Sequence, residues 1–205
     1  MGRDAPAIVV AMALPAESAG RFEKHGVEVL YTSVGKVNAA IALTRRLAQF
    51  RREGCGPPLV VNFGTAGGVG VPPRTLVACR RFVDRDMDVA ALGFALGETP
   101  LDDLPAMLEF PSCFPDLPEA ICGTGDSFAT RAQRIPCDVV DMEAFALAKA
   151  CRIEGAGFAC AKYVSDGADE NAAQHWRENV AGAADAFVEL YEKLVSRIFA
   201  GSSLA

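Results

Sequence analysis

The chain has 205 residues, a formal net charge of −6 and an apolar fraction of 51%. This length suits a single domain, residues 1–205, with a sizeable core. The acidic balance provides no basic surface of the kind that nucleic acid or an acidic membrane requires, so neither partner is expected. The composition favours a small-molecule ligand.

Seven cysteines occur without a CxxC pair, and several of them lie in apolar segments. This usage is typical of reduced thiols. The first residues lead into a short apolar segment that does not resemble a signal peptide, and no apolar run approaches the ~18 residues of a membrane span. We therefore predict a cytoplasmic protein.

The first half of the chain alternates apolar runs with a helical pattern. Residues 7–13 form a continuous apolar run, as expected of a strand buried on both faces, residues 59–63 predict another core strand, and residues 27–32 predict a further strand. A helical period begins after Gly35. The glycine-rich residues 64–70 are expected to form a turn.

The second half continues the alternation. It is predicted to contain a strand at 74–83, loops over 84–118, a strand at 120–124, a helix at 139–151, a strand at 157–164 and an amphipathic helix at 183–198. The loops are expected because prolines recur there and periodicity is weak. The whole pattern predicts an α/β three-layer sandwich, with a central twisted mixed sheet and helices on both faces.

Polar residues follow several of the predicted strands. Glu17 comes after the first strand, Thr65 after the third and Asp166 after the last. Ligands of open α/β sheets bind at the carboxyl ends of the strands. We therefore expect these side chains to share one site.

Each acid taken alone has two interpretations. Asp166 is either a desolvated general acid or the first residue of an Asx turn or helix cap. Glu17 fits a solvated first helical turn equally well. Glu143 has apolar neighbours and needs a partner, which paired ligand hydroxyls would provide. Asp141 is more simply an acid that favours a helix N-terminus.

Several familiar catalytic motifs are missing from the sequence. Residues 64–70 lack the GxGxxG and Walker A spacings, so no nucleotide cofactor is predicted. His25 and His175 are isolated and no Cys/His set has metal-ligand spacing, so no metal is predicted. No GxSxG elbow supports a serine hydrolase.

Seven short motifs occur in an order that resembles one enzyme family. They are ALPAE (13–17), GKVNAA (35–40), NFGTAGG (62–68), DMDVAALGF (86–94), GDSF (125–128), VDME (140–143) and SD (165–166). In order and spacing the chain resembles the methylthioadenosine/S-adenosylhomocysteine nucleosidases, a branch of the nucleoside phosphorylase superfamily. Each motif is weak alone, but seven in register are specific.

The resemblance implies cofactor-free hydrolysis of the N-glycosidic bond of a purine nucleoside. Asp166 would protonate or hydrogen-bond the purine N7, and Glu17 would orient and deprotonate the attacking water. Glu143 would bind the ribose hydroxyls, with Met142 beneath the sugar. Phe128 would stack on the purine. The residues implied to complete the substrate pocket are Thr65, Ala66, Gly67, Ala129 and Ser165.

Two further assignments concern the 5′ end of the substrate. Trp176 stands where the family places an aromatic over the 5′-substituent, although it would serve as well to anchor the C-terminal helix. The resemblance also implies a homodimer, because the family lends one segment to the neighbouring subunit's pocket. In this chain that segment contains Val89, Leu92 and Phe94.

Some positions depart from the family pattern, and other functions stay open. Asp141 and Lys162 replace the more usual Glu and Arg. A phosphorylase would need groups that hold an anion, and the superfamily's phosphorylases carry Arg where this chain has Asn62. A futalosine-type nucleosidase would share the acids and differ in the 5′ pocket. A non-catalytic nucleoside-binding domain would be expected to lose one of the acids, and all of them are present.

Overall fold

Eight strands and six α-helices make up the part of the chain that this computed structural model describes, residues 6–129 and 133–200. The strands are β1 (Ile8–Met12), β2 (Val29–Tyr31), β3 (Leu59–Gly68), β4 (Leu76–Asp84), β5 (Met107–Glu109), β6 (Glu119–Thr124), β7 (Val139–Asp141) and β8 (Gly157–Asp166). The helices are α1 (Pro15–Ser18), α2 (Arg21–Lys24), α3 (Lys36–Arg52), α4 (Ala144–Glu154), α5 (Ala172–Asn179) and α6 (Ala184–Phe199).

The strands form one mixed sheet in the order β2-β1-β3-β7-β6-β4-β5, and β8 pairs with both β3 and β4. β3 runs parallel to β1 and β8 for most of its length, and its last residues, Gly67 and Gly68, pair antiparallel with β7. Strands β3, β8, β4, β6 and β7 are thereby linked in a closed ring of pairings. The ring brings the ends of β3, β6, β7 and β8 close together.

Apolar helices cover both faces of the sheet, as the alternation of elements predicted. Side chains alternate between the two faces of a strand, so Val60 of β3 packs into a cluster with Leu43 of α3 and Leu147 of α4. Phe63 of the same strand packs in the opposite cluster, with its ring centroid 5.1 Å from that of Phe187 in α6. The predicted α/β sandwich is confirmed.

The helix predicted over 139–151 begins later than expected. Val139–Asp141 is a strand that pairs with β6 and with the end of β3, and the helix starts at Ala144. A short run of apolar residues fits a buried strand and a buried helix equally well, so only the neighbouring strands decide the outcome.

The glycine-rich residues 64–70 do not form the predicted turn, because β3 continues through Gly68. Their small size serves close approach of other atoms instead. A β carbon at Gly68 would lie 2.0 Å from the carbonyl oxygen of Val71, and one at Gly67 would lie 2.9 Å from Asp166 Oδ1. The glycines thus let the end of β3 approach the strands and side chains around it.

The remaining predictions hold in part. The region 84–118 contains a 3₁₀ turn at Ala90–Leu92 and strand β5 in addition to loops. The C-terminal helix is present as α6, while α5 was not predicted. Within residues 6–129 and 133–200, none of the helices combines the length and apolar character needed to cross a bilayer.

Candidate functional site

A cavity of about 210 Å³ lies where the ends of β3, β7 and β8 meet. Eleven side chains or backbone segments that the sequence assigned to a substrate pocket line it together. They are Glu17, Thr65, Ala66, Gly67, Phe128, Ala129, Met142, Glu143, Ser165, Asp166 and Trp176. The residues that the sequence assigned to the pocket therefore share one cavity.

Glu17 forms one wall of the cavity and is held by four donors. Its Oε2 accepts the backbone N–H groups of Ala13 and Leu14, each at 3.1 Å, just where β1 turns into α1. Its Oε1 accepts the backbone N–H of Thr65 at 2.8 Å and the Thr65 hydroxyl at 2.9 Å. Glu17 is only 4% exposed, so the interpretation as a solvated helical residue is wrong.

Trp176 is connected to Glu17 through Thr65. The indole Nε1 donates to Thr65 Oγ1 at 3.0 Å, and that hydroxyl in turn donates to Glu17. Trp176 belongs to α5 and also lines the cavity. It therefore anchors a helix, although α5 and not the C-terminal one, and at the same time forms part of the pocket wall.

Asp166 ends β8 and is 3% exposed. Its Oδ2 accepts the Ser165 hydroxyl at 2.7 Å, and its Oδ1 accepts the backbone N–H of Ala168 at 3.0 Å. The bond to the second residue onward is that of an Asx turn. The Asx-turn interpretation is realised, and the same buried carboxyl group also lines the cavity, while its role as a general acid stays a prediction.

Glu143 also lines the cavity, lies at the N-cap of α4 and is 7% exposed. Its Oε1 accepts the backbone N–H of Gly35 at 2.9 Å, at the start of α3. Burial, with the nearby charge of Asp141, raises the pKa of Glu143 to about 8, although Lys162 and the Gly35 N–H oppose the shift. The raised pKa favours the protonated form of this carboxyl group.

A buried ion pair lies beneath Glu143. Lys162 Nζ is 2.8 Å from Asp141 Oδ2, and both side chains are almost fully buried. Asp141 also accepts the Thr124 hydroxyl at 2.6 Å and the backbone N–H of Ala144 at 2.9 Å. Asp141 lies in β7 yet caps the first N–H of α4, so the predicted preference for a helix N-terminus is realised from outside the helix.

The two charges of this pair stabilise each other. Burial disfavours the ionised form of Asp141, but Lys162, the Thr124 hydroxyl and the Ala144 N–H outweigh it and hold its pKa below the ordinary value. Burial also disfavours the charged ammonium, but Asp141 and other nearby groups raise the pKa of Lys162 well above its usual range.

A β carbon at Gly64 would lie 3.1 Å from Glu17 Oε1 and 3.4 Å from Lys162 Nζ, which is paired with Asp141. Gly64 thus allows this pair to lie close to Glu17.

Sequence reasoning missed a group of charges beside the cavity. Lys36 Nζ donates to Asp84 Oδ1 at 2.8 Å, and its backbone N–H donates to Asp126 at 2.7 Å. Arg85 lines the cavity next to Phe128. The two contacts of Lys36 join residues 48 and 90 positions apart, so no local pattern in the sequence could reveal them.

The segment with Val89, Leu92 and Phe94 does not line the cavity of its own chain. It follows β4 and includes the 3₁₀ turn, and Leu92 is 72% exposed. Its assignment to a partner's pocket stays a prediction. Among the residues that the structure describes, no group of three or more His, Cys, Asp or Glu side chains is arranged to hold a metal ion.

Comparison with known proteins identifies relatives of the whole arrangement. The sequence profile of the phosphorylase superfamily matches residues 17–200. A 5′-methylthioadenosine/S-adenosylhomocysteine nucleosidase from a Marinomonas species is 31% identical over 81% of this chain and 79% of its own length.

Solved structures share the fold at lower identity. The 5′-methylthioadenosine/S-adenosylhomocysteine nucleosidase from Helicobacter pylori, in complex with a substituted pyrrolidin-3-ol, has a TM-score of 0.81 and 20% identity, and the match covers 95% of this chain and 100% of that one. The futalosine hydrolase of the same organism has a TM-score of 0.81 and 19% identity, with 94% and 98% of the two chains covered.

Proposed function

Because this chain belongs to the phosphorylase superfamily and, within it, to the 5′-methylthioadenosine/S-adenosylhomocysteine nucleosidases, we propose that it hydrolyses the N-glycosidic bond of 5′-methylthioadenosine, S-adenosylhomocysteine or both. The products are adenine and the 5-substituted ribose. The observation that carries the proposal is that three buried carboxyl groups, those of Glu17, Glu143 and Asp166, line one cavity beside the ring of Phe128.

Asp166 is proposed to act on the leaving base. Its carboxyl group lies at the end of β8, and the Ser165 hydroxyl and the Ala168 N–H fix its orientation. A proton delivered to purine N7 makes the base a better leaving group as positive charge develops on the sugar. The neighbouring Phe128 ring provides a face on which the purine can stack.

Glu17 is proposed to orient and deprotonate the attacking water. A carboxylate has about four lone-pair sites, and four protein donors occupy those of Glu17. Three of these donors are backbone N–H groups, whereas the Thr65 hydroxyl can rotate. The water therefore gains access to Oε1 when the Thr65 hydroxyl turns away.

Glu143 is proposed to bind the ribose 2′ and 3′ hydroxyls, with Met142 beneath the sugar. The carboxyl group of Glu143 accepts a single hydrogen bond, from the Gly35 N–H, within the described part of the chain. Burial raises the pKa of this carboxyl group, and hydrogen-bond donors that approach it stabilise its ionised form. Two sugar hydroxyls supply such donors, so binding of ribose would favour the ionised form of Glu143.

Water is favoured over phosphate as the nucleophile. Asn62, at the position where phosphorylases carry Arg, is 2% exposed, and its amide donates to the Ala11 carbonyl oxygen. The buried cation close to Glu17, Lys162, is already paired with Asp141. A second buried cation, Arg85, lines the cavity and donates with both Nη atoms to the loop around Phe128. Neither Asn62 nor Lys162 is free to hold a phosphate dianion.

The cellular setting and assembly are part of the same proposal. The seven cysteines are free thiols, six of them buried, which supports a cytoplasmic protein. A homodimer would let Val89, Leu92 and Phe94 complete the partner's pocket near Trp176, and the exposure of Leu92 supports this assignment. We also propose that residues 1–205 act as one nucleosidase domain.

The proposal is tested by following base release from 5′-methylthioadenosine, with and without phosphate, and from futalosine in parallel. Adenine release that is independent of phosphate is expected. Release that requires phosphate would identify a phosphorylase, release from futalosine alone would change the substrate, and no release from any purine nucleoside would contradict the enzyme assignment.

Asp166→Asn sharpens this test. The amide cannot deliver the proton, so turnover should fall by about 10²–10⁴-fold while adenine still binds. Asp169→Asn is the matched control, because Asp169 makes a similar turn contact to the N–H of Asn171 but does not line the cavity. Full activity of Asp166→Asn would refute its role as the acid.

A further inference from the structure

One buried side chain, that of Arg85, contacts the loop around Phe128 at several points. The residue follows β4 directly, and its side chain is 6% exposed. Nη1 donates to the Ser127 hydroxyl at 3.2 Å and to Gln133 Oε1 at 3.3 Å. Nη2 donates to the carbonyl oxygens of Gly125, at 3.3 Å, and of Ser127. The acceptors therefore lie on both sides of Phe128 in the chain.

The close packing of this guanidinium explains the glycine at position 125. A β carbon there would lie 2.7 Å from Arg85 Cζ and 2.5 Å from Asp86 Oδ1. Asp86 also approaches Arg85 Nη1 at 3.5 Å and accepts the backbone N–H of Asp126. Arg85 and Asp86 together thus hold residues 125–127 against the end of β4.

Phe128 needs such support because it is not fixed by the core. Its side chain is 45% exposed, so packing leaves its orientation to the backbone of its loop. Aromatic stacking depends on the offset and tilt of the two rings. A loop held at three residues by a planar, rigid guanidinium keeps the ring in one place before the ligand arrives.

We propose that Arg85 is a positioning residue that sets the affinity of the pocket for the purine by holding the loop that carries Phe128. This inference rests on the proposed function, because it requires a purine ligand at Phe128. The inference assigns Arg85 to base binding and not to the chemical step. Substitution of Arg85 should therefore weaken the binding of adenine and of the nucleoside alike.

The test compares Arg85→Ala, Arg85→Lys and Arg80→Ala. Arg80 is the matched control, because it also lies on β4 and makes ion pairs, with Glu109 and Glu119, but does not line the cavity. Calorimetry gives the Kd for adenine, and steady-state kinetics with 5′-methylthioadenosine give KM and kcat. Arg85→Ala should raise Kd and KM by about tenfold, the upper range for one aromatic stack, with kcat changed no more than about threefold.

Arg85→Lys separates charge from geometry. Lysine keeps the positive charge but lacks the planar fork, so we expect it to resemble Arg85→Ala and not the wild type. It also provides a second variant if Arg85→Ala fails to fold. Wild-type affinity for adenine in Arg85→Lys would show that charge alone suffices and would overturn the positioning role.

A double-mutant cycle with Phe128→Ala tests whether Arg85 acts through that ring. If it does, adding Arg85→Ala to Phe128→Ala should change the Kd for adenine by less than about twofold. The proposal would be overturned if Arg85→Ala weakened adenine binding as much in the Phe128→Ala background as in the wild type. A decrease in kcat at unchanged KM would overturn it as well. These outcomes require an active wild type, so a wild type that releases no base from any purine nucleoside refutes the proposed function separately.

Discussion

The Glu17 and Glu143 walls of the cavity bear the same functional group, but the protein holds the two in different ways. Glu17 receives four hydrogen bonds, three of them from backbone N–H groups. The Glu143 carboxyl group receives one from residues 6–129 and 133–200, that of the Gly35 N–H, and burial beside Asp141 raises its pKa to about 8. The fold fixes Glu17 without a ligand, whereas Glu143 is left for a ligand to complete.

The difference arises from local backbone structure. Glu17 lies in the first turn after β1, where unpaired N–H groups of Ala13 and Leu14 are within reach. Glu143 is also at a helix start, but the N–H of Ala144 is taken by Asp141 from β7. Because Asp141 caps α4, the side chain of Glu143 is free to face the cavity.

The largest expected effect comes from Lys162→Met, which removes the cation beneath the Glu143 wall. The substitution leaves the buried Asp141 carboxylate without its counter-charge, which destabilises a protein by about 3–5 kcal/mol. Urea denaturation at pH 7 measures the free energy of unfolding. The double variant Asp141→Asn/Lys162→Met should regain most of the loss, and a single variant as stable as the wild type would show that the pair is not needed.

Glu17→Gln tests the opposite wall. Glutamine has nearly the same shape, but its NH₂ group would face N–H donors, and it cannot accept a proton from water. Turnover of 5′-methylthioadenosine should fall by about 10²–10³-fold. Thr65→Ser, which keeps the hydroxyl, is the control and should retain most activity. Turnover of Glu17→Gln within tenfold of the wild type would contradict its role in activating water.

The sequence predicted well the features that depend on the order of the strands and of the motifs. The α/β sandwich and the family are confirmed, and Glu17, Thr65 and Asp166 do meet at one cavity. Their roles in catalysis stay predictions. Apolar runs mark the strands in the sequence, and parallel pairing brings their carboxyl-terminal parts together, although β3 continues through Gly68 and β8 through Asp166, beyond the predicted ends.

Features that depend on long-range contacts were not readable. Val139–Asp141 is a strand because β6 and β3 are available to pair with it, and an apolar run does not report its neighbours. The clamp of Arg85 on Ser127 spans 42 residues, and the pair of Lys36 with Asp84 spans 48. Neither pairing leaves a periodic or motif signal in the chain.

Glu143→Gln sharpens the comparison through pH. An acid whose pKa rises on folding from 4.5 to about 8 binds more protons in the folded than in the unfolded chain between these values. Wild-type stability should therefore decrease as the pH rises across that window. Glutamine does not ionise, so the variant should become more stable than the wild type by at least about 2 kcal/mol at pH 8.

The control is the difference in the free energy of unfolding between the two proteins at pH 4.5. At that pH Glu143 is protonated in the folded chain and titrates in the unfolded one, so the two proteins should be nearly equally stable. Urea denaturation at both pH values measures the difference. A gap that does not change with pH would show that Glu143 does not carry the raised pKa. The same variant should raise KM for the nucleoside, because one acceptor oxygen for the sugar hydroxyls is lost.

The smallest effect is expected from Trp176→Phe, which keeps an aromatic ring, although a smaller one, and removes the indole N–H that donates to Thr65 Oγ1. One neutral hydrogen bond contributes about 0.5–1.5 kcal/mol, and a shift of that size in the free energy of unfolding is expected. Thr65 keeps its bond to Glu17, so kcat should change no more than severalfold. A loss of turnover as large as that of Glu17→Gln would mean that Glu17 is not fixed by the backbone alone, and the contrast between the two walls would fail.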